Sequence, residues 1–248
     1  MNDPVIQLHN VSKSFGDTHV LSSVTLDVER GSTVALLGAS GSGKSVTLKT
    51  INGLIRPDGG DIDVLGFTVS EMTEQELVPL RRRVSYLFQG GALFDSMNVF
   101  DNVAFPLREH RDLEPEALHD RVIELLSMVR LENAESLQPS ELSGGMRKRV
   151  AVARALALEP EIMLYDEPTT GLDPVTSEAI ARLIIDLGRS PSVTSVVVTH
   201  DLPLVSRVAE RIVFLHDGKF VFSGTVAQAR QESPEAVRQF FDAGGTDA

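Results

Sequence analysis

The sequence predicts an α/β fold built on a largely parallel sheet, with a helix-rich segment inserted into it. Short apolar runs alternate with stretches of helical periodicity in the last third of the chain, as in strand–helix repeats. The middle of the chain, from about residue 90 to 158, is mainly helical in pattern. A glycine-rich stretch separates an early predicted strand from a predicted helix, and it is the first candidate for a functional loop.

The composition limits the possible classes of function. The 248 residues include 23 Lys and Arg against 35 Asp and Glu, a formal net charge of −12, which argues against general nucleic-acid binding. No cysteine is present, so disulfide scaffolds, thiolate zinc sites and cysteine nucleophiles are excluded. We find no secretory signal and no apolar run of roughly 20 residues, so we expect an intracellular protein or one held at a membrane by partners.

The first third of the chain is predicted to be rich in strands. Alternating apolar and polar residues indicate half-buried strands, continuous apolar runs indicate buried ones, and apolar residues at helical spacing after Lys44 indicate a helix. In order, the predicted elements are strands at 5–11, 24–28 and 33–37, a helix from Lys44 to about residue 54, and strands at 61–65 and 84–88.

The rest of the chain alternates helices and strands. The same patterns predict helices at 118–129 and 150–158, a strand at 162–165, a helix at 175–187, a strand at 195–199 and a hairpin of 212–215 with 220–222. The hairpin turns at Asp217-Gly218, a favoured pair for tight turns. A short C-terminal helix places Val237, Phe240 and Phe241 on one face, for docking either on a neighbouring subunit or on its own domain.

The glycine-rich stretch matches the phosphate-loop pattern at every defined position. It consists of Gly38, Ala39, Ser40, Gly41, Ser42, Gly43, Lys44 and Ser45. Glycines let successive main-chain N–H groups converge on a phosphate, and the following helix N-terminus adds its positive dipole end. Lys44 is suited to the β- and γ-phosphates of a nucleotide and the Ser45 hydroxyl to Mg²⁺. An ordinary glycine-rich turn is the less favoured interpretation.

Two acids follow the predicted strand 162–165. Asp166, at the end of a buried strand, is suited to hold Mg²⁺ directly or through water. Glu167 points differently and is a candidate general base that positions water against the γ-phosphate. Without a phosphate loop in the same chain, two acids near a helix start would be as easily explained as helix capping.

The segment Leu142-Ser143-Gly144-Gly145-Met146-Arg147-Lys148-Arg149-Val150 predicts a second helix start suited to an anion. Taken alone, it would be better explained as an ordinary N-cap. Together with the phosphate loop and the acid pair, it resembles the signature of ABC-type ATPases, over about residues 5 to 223. The resemblance implies a P-loop NTPase core with an antiparallel β subdomain and an inserted α-helical subdomain, and ATPase activity with ATP and Mg²⁺.

The resemblance assigns roles to further residues. Phe15 corresponds to the aromatic residue that stacks on adenine, and Gln89 to the Q-loop glutamine near Mg²⁺. Asp173, in Gly171-Leu172-Asp173-Pro174, resembles the D-loop aspartate, and His200 the switch histidine that contacts the γ-phosphate and Glu167. One position departs from the family pattern, because Val46 stands where many relatives have Thr, so a hydroxyl contact to the α-phosphate is missing while the main-chain N–H remains.

The resemblance also implies an organisation and partners. One ATPase domain would span 1–248, with a core and β subdomain at 1–89 and 159–232, the helical subdomain at about 90–158 and a short extension at 233–248. Ser143, Gly144 and Gly145 of one copy would complete the ATP site of a second copy in a head-to-tail homodimer. The dimer would bind integral membrane permease subunits at the cytoplasmic face of the inner membrane.

Some segments are similar to the Mla/Mce-type phospholipid transport ATPases. They are residues 42–49, 88–103, 106–110 and 146–149, the last lying where many importer ATPases carry glutamines. This similarity implies lipid transport, with an Mce-type lipid-binding subunit and a small accessory subunit as further partners. The alternatives are an importer ATPase for amino acids or another polar solute, a non-transport ABC protein of DNA repair or translation, and a scaffold resembling a cell-division ABC protein.

Two surface features have open interpretations. Phe94, Met97, Val99 and Phe100 are expected to form either an apolar patch for a short permease helix or part of the subdomain core. The cluster Arg81-Arg82-Arg83 is interpreted as a solvated face or strand lead-in rather than as a site for anionic lipid headgroups.

Overall fold

The computed structural model describes residues 3–188, 193–231 and 233–244. The elements of the first half are β1 (Pro4–Phe15), β2 (Thr18–Glu29), β3 (Thr33–Leu37), α1 (Lys44–Ile51), β4 (Gly59–Val64), β5 (Phe67–Thr68), α2 (Leu77–Arg83) and β6 (Val84–Leu87). Those of the second half are α3 (Val99–His110), α4 (Pro115–Met128), α5 (Gly144–Leu156), β7 (Ile162–Asp166), α6 (Pro174–Gly188), β8 (Thr194–Val198), α7 (Leu202–Val208), β9 (Arg211–His216), β10 (Lys219–Gly224), α8 (Val226–Gln231) and α9 (Glu235–Asp242).

The central sheet has six strands in the order β10-β9-β3-β8-β7-β6. All neighbouring strands are parallel except the β9–β10 hairpin. Strands β3, β7 and β8 are buried along their whole length, which is why their sequences are continuous apolar runs. Their carboxyl ends meet at one edge of the sheet, the edge at which open α/β sheets bind their ligands.

A second, antiparallel sheet has the order β2-β1-β4-β5. Its inner face packs on α1, where Ile6 and Ile62 of the sheet share one core with Leu48 and Ile51 of the helix. The strand β1 runs to Phe15, beyond the end predicted at residue 11. Its register against β2 shifts between residues 8 and 14, and such irregularities break the alternation on which the prediction depended.

The helical segment α3–α5 lies between β6 and β7 in the chain and packs on the central sheet. Its core is continuous with that of the sheet, because Val103, Leu125 and Val152 of the helices belong to the same buried cluster as Met163 and Tyr165 of β7. The predicted mixed α/β architecture, with an antiparallel sheet and an inserted helical segment, is therefore present.

Several short elements were absent from the sequence prediction, namely α2, α7, α8 and β5. Each has two to seven residues, too few for periodicity to be distinctive. The helix α2, for example, buries only Leu77 and Leu80. Because isolated helices this short are unstable in water, packing against the neighbouring sheet is what stabilises them.

The arginine cluster 81–83 forms the last turn of α2 and is held by protein partners. Arg81 pairs with Glu74 at 2.7 Å and donates to the main-chain carbonyls of Asn52 and Gly53. Arg83 pairs with Glu161. The cluster leads directly into β6, as the strand lead-in interpretation expects, and Arg82 is exposed. Arg81 and Arg83 are only partly exposed, because their side chains also make these contacts within the chain.

The C-terminal helix α9 docks on its own domain. Val237 is fully buried, and the Phe240 ring meets Phe214 of β9 edge-on with the ring centroids 5.2 Å apart. Phe241 is partly buried against the same cluster. Of the two docking alternatives for these three side chains, docking on the chain's own core is the one observed.

The apolar residues after β6 separate into core and surface. Val99 is fully buried and Phe100 packs against the helical core, whereas Phe94 is 41% exposed. Of the two alternatives for these four residues, the subdomain core is observed for Val99 and Phe100, whereas Phe94 lies on the surface and Met97 is partly exposed.

None of the described helices is both long enough and apolar enough to cross a bilayer.

Candidate nucleotide-binding site

The loop 38–45 joins β3 to α1 and depends on glycine at two positions. Gly38 has φ +149°, and a Cβ there would lie 2.2 Å from the main-chain oxygen of Leu215. Gly43 has φ +106°, and its Cβ would lie 2.8 Å from Val20 Cγ1. Both the left-handed backbone and the lack of space exclude larger residues, so the loop stays open as a cradle of main-chain amides.

Lys44 and Ser42 supply the polar groups inside this cradle. The Lys44 side chain is buried, and its Nζ donates to the carbonyls of Gly38 and Ala39, both at 2.7 Å. The Ser42 Oγ is buried with no hydrogen-bond partner in the described part of the chain. A buried hydroxyl without a partner is costly, and a phosphate oxygen in the cradle would satisfy it, so these residues fit a bound phosphate group.

Asp166 is held from two sides at the end of β7. The Ser45 hydroxyl donates to its Oδ1 and the Tyr86 hydroxyl to its Oδ2, each at 2.7 Å. Burial, together with the hydrogen bond and the charge of Asp166, raises the pKa of Tyr86 far above its usual value, so the phenol remains a donor. The hydroxyl of Ser45 and the carboxylate of Asp166 are oxygen ligands of the type that Mg²⁺ prefers.

Glu167 adopts a left-handed backbone conformation, with φ 49°. A non-glycine residue in this region costs about 1–3 kcal/mol, and its surroundings must hold it there. The Glu167 N–H donates to the Val198 carbonyl at 2.9 Å, and its own carbonyl accepts from Lys148 Nζ at 3.0 Å. Its Oε2 accepts from the Thr170 hydroxyl at 2.8 Å and lies 3.0 Å from His200 Nδ1.

These groups surround one open cavity of about 630 Å³. The predicted residues that line it are Phe15, Gly38, Ser40, Gly41, Gly43, Lys44, Ser45, Val46, Gln89, Glu167 and His200, joined by Val20 and Thr170. Phe15 lies at its mouth with 49% of its surface exposed, so its ring is accessible for stacking on a flat ligand group. The structure therefore brings most of the predicted nucleotide site together.

The signature residues and Asp173 do not line this cavity. Ser143 and Gly144 are exposed, and the Ser143 hydroxyl caps α5 by accepting from the Met146 N–H at 3.2 Å. Asp173 accepts from the Thr176 hydroxyl and from main-chain N–H groups at the start of α6, and these hydrogen bonds lower its pKa. Both helix starts thus lie outside the cavity that the phosphate loop lines.

The sequence profile described as "ABC transporter" matches residues 21–170 of the chain. This stretch contains the phosphate loop, the signature and the acid pair at the end of β7. The chain belongs to the ABC transporter family. It is an ATP-binding ATPase subunit, which confirms the family, the fold and the enzyme class predicted from the sequence.

Curated relatives of this ABC ATPase differ in their named cargo. The intermembrane phospholipid transport system ATP-binding protein MlaF of Escherichia coli K12 is 45% identical over 239 residues, which cover 96% of this chain and 88% of MlaF. The probable ribonucleotide transport ATP-binding protein mkl of Mycobacterium leprae is 41% identical over 237 residues, covering 96% and 68% of the two chains. The names therefore agree on an ATP-binding transport subunit and disagree on what is moved.

Solved structures show the same fold in a nucleotide-bound dimer. The ATP-binding cassette MJ0796, in a dimeric post-hydrolysis state with ADP and Pi, superposes with a TM-score of 0.84 at 34% identity. The match covers 89% of this chain and 98% of MJ0796.

Sequence reasoning missed four residues at the site of this ABC ATPase. Tyr86, Lys148 and Thr170 hold the acid pair, and Val20 lines the cavity wall. Thr170 lies three residues after Glu167, so its contact with Glu167 could have been predicted from their spacing in the sequence. Lys148 belongs to the signature segment, but its contact with Glu167 depends on the fold, as do the positions of Tyr86 and Val20.

Proposed function

We propose that this ABC ATPase hydrolyses ATP to drive phospholipid transport through a membrane permease. The observation that carries the cargo assignment is the 45% identity, over nearly the whole chain, to a protein named for intermembrane phospholipid transport. The sequence segments 88–103 and 146–149 support the same assignment, because they carry the Mla/Mce-type resemblance.

The nucleotide is proposed to lie in the 630 Å³ cavity. Phe15 stacks on the base, and the amides of 38–45, Lys44 and the partnerless Ser42 hydroxyl hold the phosphates. The Val46 side chain lines the wall without a hydroxyl, so this position contributes its main-chain N–H alone.

Mg²⁺ is proposed to be held by Ser45 and Asp166, with Gln89 nearby. The described residues contain no group of three or more His, Asp or Glu suited to a metal ion, so the remaining ligands would be phosphate oxygens and water. When bound, Mg²⁺ would neutralise phosphate charge and orient the terminal phosphate. The bonds from Ser45 and Tyr86 keep the Asp166 carboxylate aimed at this position.

Glu167 and His200 are proposed as the catalytic pair. The Glu167 carboxylate is held by Thr170 and lies 3.0 Å from His200 Nδ1, at the wall of the cavity. It can orient water and accept its proton, while His200 fixes the orientation of the carboxylate and can contact the terminal phosphate. Positioning supplies much of the catalysis, since phosphoryl transfer demands little covalent chemistry of the protein.

A second copy is proposed to complete each site. Ser143, Gly144 and Asp173 stand at exposed helix starts outside the cavity of their own chain, although they are suited to bind phosphate or to line an interface. A head-to-tail dimer with two-fold symmetry would bring these groups to the partner's nucleotide, with both surfaces used twice. Gly145, the next residue after Gly144, is buried.

The permease is proposed to bind the groove between β6 and the helical segment. This groove, of about 320 Å³, is lined among others by Phe88, Phe94, Phe105 and Arg154. It lies next to Gln89, so a permease element bound there would be coupled to the nucleotide site.

We propose the same subdomain limits as the sequence indicates, with the helical part at about 90–158. We also propose that the chain is attached peripherally to the cytoplasmic face of the inner membrane. An Mce-type lipid-binding subunit and a small accessory subunit are proposed as further partners.

The test is to purify the assembly from membranes through a tag on this chain. Native mass spectrometry then identifies its subunits and bound lipids, and ATPase and lipid-transfer assays follow with wild type, Glu167→Gln and the exposed control Glu132→Gln. We expect a permease, an Mce-type subunit and bound phospholipid. We also expect turnover to fall by about 10²–10⁴-fold in Glu167→Gln alone.

Three outcomes would contradict parts of the proposal. A periplasmic solute-binding partner without lipid would favour the polar-solute importer over lipid transport. Wild-type turnover in Glu167→Gln would remove the assignment of the general base. A Glu167→Gln protein that stays monomeric with Mg-ATP, even with its permease present, would exclude the composite site.

A further inference from the structure

The helix α5 touches two functional regions of the molecule. At its N-terminus Ser143 and Gly144 are exposed, in the position proposed to meet the nucleotide of a second copy. Five residues after Ser143, the Lys148 side chain runs inward, and its Nζ donates to the Glu167 carbonyl at 3.0 Å. We call Ser143, Gly144 and Gly145 the signature corner. The first turns of α5 therefore connect this corner to the main chain of the proposed catalytic acid, Glu167.

Lys148 is a buried cation with only 5% of its surface exposed. Burial lowers its pKa, and the carboxylates of Asp166 and Glu167 oppose that shift. A buried ammonium group requires such neighbours, so its position is tied to the end of β7. Nothing in ATP binding by the same chain requires a lysine here, because Lys148 does not line the nucleotide cavity.

The Glu167 main chain is where a movement of Lys148 would have its effect. Its N–H is bound to β8 through Val198 at 2.9 Å, and its carbonyl accepts from Lys148 at 3.0 Å and from the Thr170 N–H at 3.4 Å. Its left-handed φ of 49° persists only while these contacts hold it. Since the backbone angles of a residue set the direction of its side chain, the Lys148 bond helps aim the carboxylate.

The signature corner is also packed rigidly on α6. A Cβ on Gly145 would lie 2.2 Å from Thr176 Cγ2, so the two helix starts are in close contact. Thr176 in turn donates to Asp173 at 2.6 Å. A displacement of Ser143 or Asp173 would therefore move the starts of α5 and α6 together, because close-packed elements move together.

We propose that Lys148 is a positioning residue that links the signature corner of α5 to Glu167 of the same chain. In the proposed head-to-tail dimer, on which this inference rests, the signature corner contacts one nucleotide while Glu167 acts on the other. Lys148 then makes occupancy of one site favour the active orientation of Glu167 in the second. Binding free energy at one site is thereby coupled to catalysis at the other.

The experiment compares Lys148→Met, which removes the donor, with Lys148→Gln, which keeps an N–H donor of the kind many relatives carry. Lys219→Met, at an exposed lysine of β10, is the matched control. ATPase activity of the purified transport assembly is titrated with ATP to obtain kcat and the Hill coefficient. Nucleotide affinity and thermal midpoint are measured on the isolated chain.

For Lys148→Met we expect kcat to fall by about tenfold and the Hill coefficient to fall from about 2 towards 1. Nucleotide affinity of the isolated chain should stay within about twofold of wild type, since the phosphate loop is untouched. Lys148→Gln should recover most of both lost quantities, and Lys219→Met should match wild type. A role in stability alone would lower the thermal midpoint and leave the Hill coefficient unchanged.

Three results would overturn the inference. They are an unchanged Hill coefficient in Lys148→Met, a wild-type Hill coefficient of about 1, and a folded Lys148→Gln that is as slow as Lys148→Met. If Lys148→Met does not fold, Lys148→Gln is judged alone, and a Hill coefficient or kcat far below wild type would count against the donor role. A wild-type assembly that hydrolyses no ATP would instead contradict the proposed function.

Discussion

The Tyr86 hydroxyl donates to Asp166 Oδ2 at 2.7 Å, on the carboxylate oxygen opposite the one that Ser45 holds. The two residues lie on the adjacent strands β6 and β7, whose parallel pairing places Tyr86 opposite Leu164. Asp166 is thus oriented by the sheet itself as well as by the phosphate loop, which leaves the proposed metal ligand few free orientations.

Replacing Tyr86 by Phe removes this bond and keeps the ring. A hydrogen bond to a charged group contributes about 1.5–3 kcal/mol, so we expect the Mg²⁺ concentration for half-maximal ATPase activity to rise by about tenfold. ATP binding in EDTA should be unchanged. Tyr165→Phe is the control, because the Tyr165 hydroxyl is buried in the core and is not among the donors to Asp166 that the structure describes, which are Ser45 and Tyr86. Equal Mg²⁺ requirements in wild type and Tyr86→Phe would contradict this role.

Gly38→Ala should damage the phosphate cradle. The new Cβ would meet the Leu215 carbonyl oxygen at 2.2 Å at a left-handed φ, so the loop must shift. We expect nucleotide affinity to fall by at least about tenfold, a loss of roughly 1.4 kcal/mol, as measured by equilibrium binding. Gly59→Ala has open space around it and serves as the control. Affinity retained in Gly38→Ala would place the phosphates elsewhere.

Asn102 ties the segment after Gln89 to α3. Its buried amide accepts from the Phe94 N–H at 2.9 Å and donates to the carbonyls of Phe94, Met97 and Asn98. Asn102→Ala removes the partner of the Phe94 N–H and of the Met97 carbonyl, whereas the Phe94 and Asn98 carbonyls keep main-chain donors. We expect the free energy of unfolding to fall by about 2–4 kcal/mol in denaturant titration. Gln75→Ala, which removes an exposed amide, is the control and should change the free energy of unfolding little. A loss below about 1 kcal/mol in Asn102→Ala would show that water replaces these bonds.

Phe240 and Phe15 should give opposite phenotypes. Phe240 is 5% exposed against Phe214, so Phe240→Ala should lower the free energy of unfolding by about 3–5 kcal/mol. Phe15 is 49% exposed at the cavity mouth, so Phe15→Ala should weaken ATP binding and leave stability nearly unchanged. Thermal unfolding and nucleotide binding of both variants check this reciprocity. Reversed phenotypes would mean that the roles of core and base contact are misassigned.

The motifs predicted from sequence are those whose chemistry is local. The loop 38–45 needs glycines at fixed spacing, and β3 and β7 are buried on both faces, so their patterns are visible in the residues themselves. The prediction was weaker where register mattered. The bulges of β1 interrupt its alternation, so the prediction ended the strand too early. Whether Val99 is buried depends on how the segment after β6 packs on the helical core, which the sequence pattern does not specify.

Contacts between distant residues account for what the motifs did not reveal. Tyr86 and Asp166 are 80 residues apart, and Lys148 and Glu167 are 19 apart. Neither pair is encoded by periodicity or by a turn, because each depends on the order of strands and on how α5 lies over them. Residue types along the chain were enough to predict the loop proposed to hold phosphate. Which side chains orient the acids became defined only when strands and helices packed, since directed hydrogen bonds require positions that only packing supplies.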